Sequence, residues 1–282
     1  MPNNIKALGQ EIEAIDTIGN LTDVFSNLAS IQLRAIRQDV LNAKLFFNDL
    51  WQVYSQIRTI KKSPGLLSEE LGNLAIIITS PAGLGGGSDQ KIIQKYLKDK
   101  RSKNADVLVV GSNGVNILKA KNIKTIGAFE LPDVSKDFSV SPLVDLVGGY
   151  KTTIVYYQDY ISLGTQNVAE LELLSSALEL TSEEKVSIST GESKLISPRN
   201  FIFEPSIDEV IETLEDTMLA TALTQLLMES RLSQLARRFT SMTLASQRAR
   251  DMKRKLDNTF AGAKRARRDE MTRQTTISMR SK

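Results

Sequence analysis

From Glu204 to Thr275 the chain reads EPSIDEVIETLEDTMLATALTQLLMESRLSQLARRFTSMTLASQRARDMKRKLDNTFAGAKRARRDEMTRQT, with no proline after Pro205. Ser206 is a good helix N-cap, and Glu209 three residues on completes a capping box. Beyond it Phe239, Met242, Ala245, Ala249, Met252, Leu256, Phe260 and Ala263 step by threes and fours, an apolar helical stripe. A helix from Ile207 to about Thr275 is ~100 Å long at the α-helical rise. No small domain encloses such a rod, so much of it must project. Alanines in the stripe permit close approach of a second helix.

The other end of the chain supplies that helix. Residues 3–60 carry Ile5, Leu8, Ile12, Ile15, Ile18, Leu21, Phe25, Leu28, Ile31 and Ala35 at gaps of three and four. Gly19 weakens helix propensity by ~1 kcal/mol against alanine. The stripe continues through Phe46, Leu50, Val53 and Ile57. Lys61-Lys62-Ser63-Pro64-Gly65 ends it, since proline lacks an amide proton and disfavours helix before it. Two remote stripes bury each other most simply as an antiparallel coiled coil. The expected packing residues are Ile12, Ile15, Leu21 and Leu28 on one helix and Phe239, Met242, Ala249, Met252 and Leu256 on the other.

Between them the pattern alternates. Residues 74–79 are a short apolar run, as in a buried parallel strand. A glycine-rich turn with Gly83, Gly86 and Gly87 follows, then a helical stretch over 89–98. Strands are expected at 106–110, 123–129 and 152–157, with helices after 114 and over 141–150. Residues 201–203 read as a last short strand, and 181–200 as a polar loop. Strand–helix alternation implies an open, Rossmann-like α/β sheet. The expected divisions are a first shaft helix at 1–62, the α/β domain at 73–205 and a second shaft helix at 206–282.

Little here suggests bond chemistry. The chain has no cysteine and no histidine, which excludes disulfides, thiolate or imidazole metal sites and a histidine base. The segment from Gly83 to Ser88 lacks the Gly-Lys-Ser/Thr of a P-loop, and Ser88 stands where a dinucleotide fingerprint has its third glycine. A tight turn is the favoured reading. The acid pairs Glu69-Glu70, Glu183-Glu184 and Glu215-Asp216 read as solvated surface. No cofactor and no small-molecule ligand are expected.

Charge is unevenly placed. The whole chain carries +3, yet Arg231–Lys282 holds 15 Lys/Arg against 4 Asp/Glu, leaving −8 elsewhere. That asymmetry points to an acidic partner surface or to nucleic acid. No aromatic residues interleave the bases of Lys264–Arg268 for stacking, so a protein partner is favoured. No run nears the ~20 apolar residues that span a bilayer. The N-terminus carries acids and has no signal-peptide core, which predicts a cytoplasmic chain.

These segments resemble a known family, the gamma subunits of F-type ATP synthases. Thr79-Ser80-Pro81-Ala82-Gly83-Leu84-Gly85-Gly86-Gly87 is similar to the family's T-S-D-R-G-L-C/A-G-G segment. Phe203-Glu204-Pro205-Ser206 before the long helix resembles a second landmark. Glu229-Ser230, Ser233, Ala236, Arg238, Met242 and Ala245 are similar to its E-S-x-x-S-E-x-A-x-R-x-x-A-M-x-x-A stretch. Ile12, Ile15, Leu21-Thr22 and Leu33-Arg34 fall where the family has I-x-x-V, I-T and K-L-R. Phe25-Ser26 replaces its Met-Lys pair. Gln247-Arg248-Ala249 stands for its D-N-A, and Lys264–Met271 for its R-Q-A-x-I-T-x-E.

The resemblance implies a non-catalytic rotor shaft of a proton-translocating synthase. It would turn inside a ring of three alpha and three beta subunits, with its α/β foot on the epsilon subunit and the membrane c-ring. By family position Thr22, Phe25, Ser26, Arg238, Lys264, Arg265 and Arg268 would meet the ring. The location implied is the cytoplasmic face of a bacterial plasma membrane. Two other classes stay open: a helical scaffold or nucleic-acid binder using the basic helix, and an enzyme built on the α/β domain.

Overall fold

The chain was analysed as a computed structural model, which describes residues 2–60, 71–81, 86–131, 139–173 and 203–280. Helix α1 spans Pro2–Ile60. Strand β1 is Leu71–Ile78, α2 Gly86–Lys98, β2 Asp106–Val110 and α3 Ser112–Ala120. A short 3-10 turn at Lys100–Ser102 leads into β2. Then come β3 Gly127–Phe129, α4 Ser141–Val147, β4 Tyr150–Tyr160 and β5 Gln166–Glu172. Helix α5, Ile207–Arg280, closes the series.

The strands form one sheet in the order β3-β2-β1-β4-β5. β1 runs parallel to both β2 and β4, and β2 parallel to β3. Successive side chains of β1 go to opposite faces. Ala75 and Ile77 join Ile92, Ile93 and Tyr96 of α2 and Leu118 of α3. Leu74, Ile76 and Ile78 join Leu143 and Val147 of α4 and Leu219, Leu223, Leu226 and Leu227 of α5. Both faces are therefore covered, which is why residues 74–78 of β1 read as one unbroken apolar run.

The sheet differs from the sequence expectation at its edges. β5 pairs antiparallel with β4, from Ile154↔Glu172 to Tyr160↔Gln166, and was not foreseen. Its sequence is mostly polar; Glu170 and Glu172 are paired with Arg101, and Glu170 also with Lys95. β3 has only three residues; before it the Ile126 amide donates to Val107 O on β2, while the Ile123 amide turns back to Leu118 O at the end of α3. α4 stops at Val147 before a glycine pair. Phe203 is not in a strand, and 201–202 and 181–200 lie outside the described residues.

The chain divides into two compact units, 1–31 with 237–282, and 32–236. The cuts fall inside the two long helices rather than at 62 and 206. The physical reason is in the second unit, where α5 itself supplies the leucines on one face of the sheet. The same unit holds two further clusters. One joins Leu33 and Ile36 to Leu232, Leu235 and Ala236; the other joins Tyr54 and Ile57 to Ile211 and Met218.

A glycine sets the junction after β2. Gly111 has φ +104°, and a Cβ there would lie 2.2 Å from the Thr79 carbonyl oxygen. Gly111→Ala is expected to lose about 3 kcal/mol or more in urea unfolding. Gly164→Ala, whose added Cβ meets nothing within 4 Å, should stay within about 0.5 kcal/mol of the parent.

The second unit also carries an acid-sensitive joint. Arg101 donates to Asp99 from Nε at 3.1 Å and from Nη2 at 2.7 Å, and Tyr156 donates its hydroxyl at 2.7 Å. Those bonds, the arginine's first, hold the Asp99 carboxyl at about 2 despite the opposing effect of burial. A depressed carboxylate stabilises the fold above its unfolded pKa and loses that contribution as pH falls toward the folded one. Stability should drop by about 1–2 kcal/mol between pH ~4 and ~2. Asp99→Asn should flatten that part of the pH profile.

Candidate functional site

The first place to look is the carboxyl end of the sheet. The strand order reverses between β1 and β4, the place where doubly wound sheets bind ligands. Thr79 ties β1 to its neighbours: its amide donates to Val110 O at 2.7 Å, and Gly114 N donates to its hydroxyl at 2.9 Å. The carboxylate of Asp89 sits beside it, 1% exposed. It accepts from the Ser80 amide at 3.2 Å, from the Ser80 hydroxyl and from Asn113 Nδ2 at 2.6 Å. Asp89 lies in the first turn of α2, so the chain's own anion sits where a bound phosphate would. A phosphate there would face a buried negative charge. Gly86 and Gly87, expected in a turn, belong to the first turn of α2, and Gly83 lies outside the described residues. Among the described residues no acidic group is clustered for a metal.

The second place is the first unit, where α1 meets α5 as an antiparallel pair. The inward positions on α1 are Ile5, Leu8, Ile12, Ile15, Gly19, Thr22, Ser26 and Ala29. On α5 they are Phe239, Met242, Ser246, Ala249, Lys253, Leu256, Phe260 and Ala263. Gaps alternate strictly between three and four, the 3.5-residue period of a coiled coil. Ser26 meets Thr243 at 2.8 Å, Ser246 meets Asp23 at 2.6 Å, Lys253 meets Asp16, and a Cβ on Gly9 would touch Phe260. The residue numbers of each of these facing pairs add to 269.

This seam corrects several expectations. Leu21 and Leu28, assigned to packing, are 53% and 45% exposed, and Met252 on α5 is 55% exposed. Ile12, Ile15, Phe239, Met242, Ala249 and Leu256 lie on the shared face. Ser26, assigned to an outward contact, is buried, and Thr22 is partly buried with its hydroxyl bonded to its own helix at Gly19 O. Phe25 faces outward, 48% exposed. Arg238 is partly buried, while Lys264, Arg265 and Arg268 are exposed.

The reason is size. The stretch of seam from 19 to 29 is filled by glycine, threonine, serine and alanine, so a search for large apolar residues drifts one position aside. Gly19 is part of this design: a Cβ there would lie 3.6 Å from that of Ala249. The large side chains are left outside. Ile18, Leu21, Val24, Phe25, Leu28 and Ile31 form an outward apolar stripe on α1. These six residues form one stripe along the helix rather than scattered exposure.

Polar residues in the seam went unforeseen. Asp23 accepts from Ser246 and from Arg250 at 2.8 and 3.0 Å, and Arg250 also reaches Ser246 Oγ at 2.9 Å. The Ser246 bond, with Arg250 adding to it, pulls the Asp23 carboxyl below its ordinary value. Asp16 raises the Lys253 ammonium above its own. The signal available was the spacing: Asp16 and Asp23 are one heptad apart, as are Ser246 and Lys253. Glu215, expected at the surface, is also buried at 6% and accepts from Tyr54 at 2.6 Å. Past Ala263 every residue of α5 to Arg280 is exposed.

A family model described as ATP synthase matches residues 4–275. The chain is 26% identical over 259 residues to the ATP synthase gamma chain of Clostridium novyi (strain NT), with 89% of this chain and 88% of that one covered. It is 23% identical over 291 residues to the gamma chain of Malacoplasma penetrans (strain HF-2), covering 97% and 96%. Its fold resembles a chain in the OSCP/F1/c-ring structure of Euglena gracilis mitochondrial ATP synthase, with TM-score 0.63, 13% identity, and 100% of this chain and 95% of that one covered. A chain of the central stalk and c-ring structure from Tetrahymena thermophila gives TM-score 0.54 at 18% identity, covering 80% and 99%.

If the seam is as described, Leu21→Ser and Leu28→Ser should change unfolding free energy by no more than about 0.5 kcal/mol each. Ile15→Ala, on the shared face, should cost about 2 kcal/mol. Urea titration of the purified chain, followed by helical circular dichroism, compares the three directly.

Proposed function

Because this chain belongs to the ATP synthase family, we propose that it works as the gamma chain, the central-stalk subunit of an F-type synthase, and performs no bond chemistry itself. What carries this reading is the match over residues 4–275, which takes in both terminal helices and the sheet. Alpha and beta subunits and the c-ring are its partners, and it belongs to a membrane-associated complex. Among the described residues no helix is long and apolar enough to cross a membrane. Association with the membrane would therefore come through those partners, on the cytoplasmic face in a bacterium.

In this reading each surface has its own task. A shaft must transmit torque without gripping its bearing. The seam holds α1 to α5, and the outward stripe from Ile18 to Ile31 offers apolar contact that has no direction of its own and so tolerates sliding. Charges supply angular preference. Lys264, Arg265 and Arg268 on the exposed end of α5 would attract acidic loops of the ring over the ~8–10 Å range of screened electrostatics. The sheet unit would meet the epsilon subunit and the c-ring. Turning one asymmetric face after another toward the three catalytic subunits couples rotation, driven by protons, to release of ATP; in hydrolysis the coupling runs backwards.

The nucleic-acid reading gains no support. Residues 264–280 contain no aromatic side chain, and Asp269 and Glu270 interrupt the basic run.

A tagged chain should bring down alpha and beta subunits in equal amounts, each in excess over itself. Absence of both from the purified material would overturn the assignment. In an assembled complex, Leu21→Ser/Phe25→Ser/Leu28→Ser and Lys264→Glu/Arg265→Glu/Arg268→Glu should each lower ATP-driven proton pumping by about tenfold or less. Pumping equal to the parent's in both variants would show that neither surface bears on the ring.

A further inference from the structure

The seam between α1 and α5 in the first unit has little apolar bulk over residues 16–26. Gly19, Thr22 and Ser26 face Ala249, Ser246 and Thr243. Small side chains of similar size fit against one another in many registers, so packing alone discriminates poorly between them. The charged groups do discriminate. Lys253 donates to Asp16, and Ser246 and Arg250 both donate to Asp23. We infer that these two clamps select the register of the coil, and with it the axial position of the outward apolar stripe against the basic end of α5.

The alternatives can be counted from the sequence. A slip of one heptad shifts one helix by about 10 Å against the other and keeps the period intact. Slipped one way, facing numbers add to 276: Lys253 finds Asp23 and Lys264 takes the place beside Asp16 that Arg250 holds beside Asp23, but Asp16 then faces Phe260, and Ser246 and Arg250 lose their carboxylate. Slipped the other way they add to 262: Asp23 meets Phe239, and Lys253 meets Gly9. Of these three registers only the observed one gives Ser246, Arg250 and Lys253 a carboxylate together and leaves Phe260 against Gly9. A charge or polar group placed at a seam position commonly fixes register in this way, by penalising the wrong partners more than it strengthens the right ones.

The inference stands on the coil alone, so a chain that failed to bind alpha and beta would leave it untouched. The chain has no cysteine, which makes engineered pairs unambiguous reporters. Gly19→Cys with Ala249→Cys reads the observed register, since the two Cβ positions are 3.6 Å apart, within disulfide range. Gly19→Cys with Leu256→Cys reads the register slipped by one heptad.

In the full-length chain under mild oxidation, the first pair should close and the second should not. Adding Asp16→Lys and Asp23→Lys should lower closure of the first roughly fivefold. Adding Arg250→Asp and Lys253→Asp as well should restore the first pair, which separates register from simple loss of folding. Unchanged closure of the first pair in the lysine variant overturns the inference. So does a loss of closure that the charge swap fails to reverse.

Discussion

The close approach of α1 and α5 across a seam of small residues governs the first unit. Over residues 19–29 of α1 the inward positions are taken by glycine, threonine, serine and alanine, which draw the helices together. Large side chains must then point outward, where Ile18, Leu21, Val24, Phe25, Leu28 and Ile31 stand exposed. A thin seam also makes the polar clamps at Asp16 and Asp23 matter, because the apolar contacts that normally dominate a coiled coil are scarce over this stretch. Over this stretch polar contacts join the helices while the large apolar side chains face away. Such an arrangement suits a rod enclosed by partners, which cover what the rod itself leaves bare.

The second unit obeys a different constraint. Its parallel strands are buried on both faces, so each face needs its own cover. Helices α2 and α3 supply one layer. The other comes from α4 together with Leu219–Leu227 of α5. The long helix is thus a sheet layer for part of its length and a coil strand for another part. Where ligand-binding sheets of this architecture leave an open crevice, Asp89 closes it with Ser80 and Asn113. A fold often used for nucleotide chemistry serves here as a mounting for a helix.

Much of this was legible in the residues. Helix α1 ends at Ile60, just before Lys61-Lys62-Ser63-Pro64-Gly65, and β2 is bounded as its five apolar-rich residues predict. The edge strand β5 was invisible because Gln166–Glu172 is mostly polar and owes its place to pairing with β4 and to Arg101 and Lys95. Glu215 looked like surface because its partner, Tyr54, is remote in sequence. The outward stripe is legible too, but it steps by threes and fours as the seam does, so period alone does not tell the two faces apart.

The sequence by itself determined the two terminal helices and the buried strands β1, β2 and β4, and that the two ends pair antiparallel. Those properties depend on local spacing: proline, glycine and apolar period act within a few residues. Only the tertiary structure decided which face of each terminal helix turns inward. That choice rests on size and charge matched across the pair, Gly19 to Ala249 and Asp16 to Lys253, and neither helix carries that information alone.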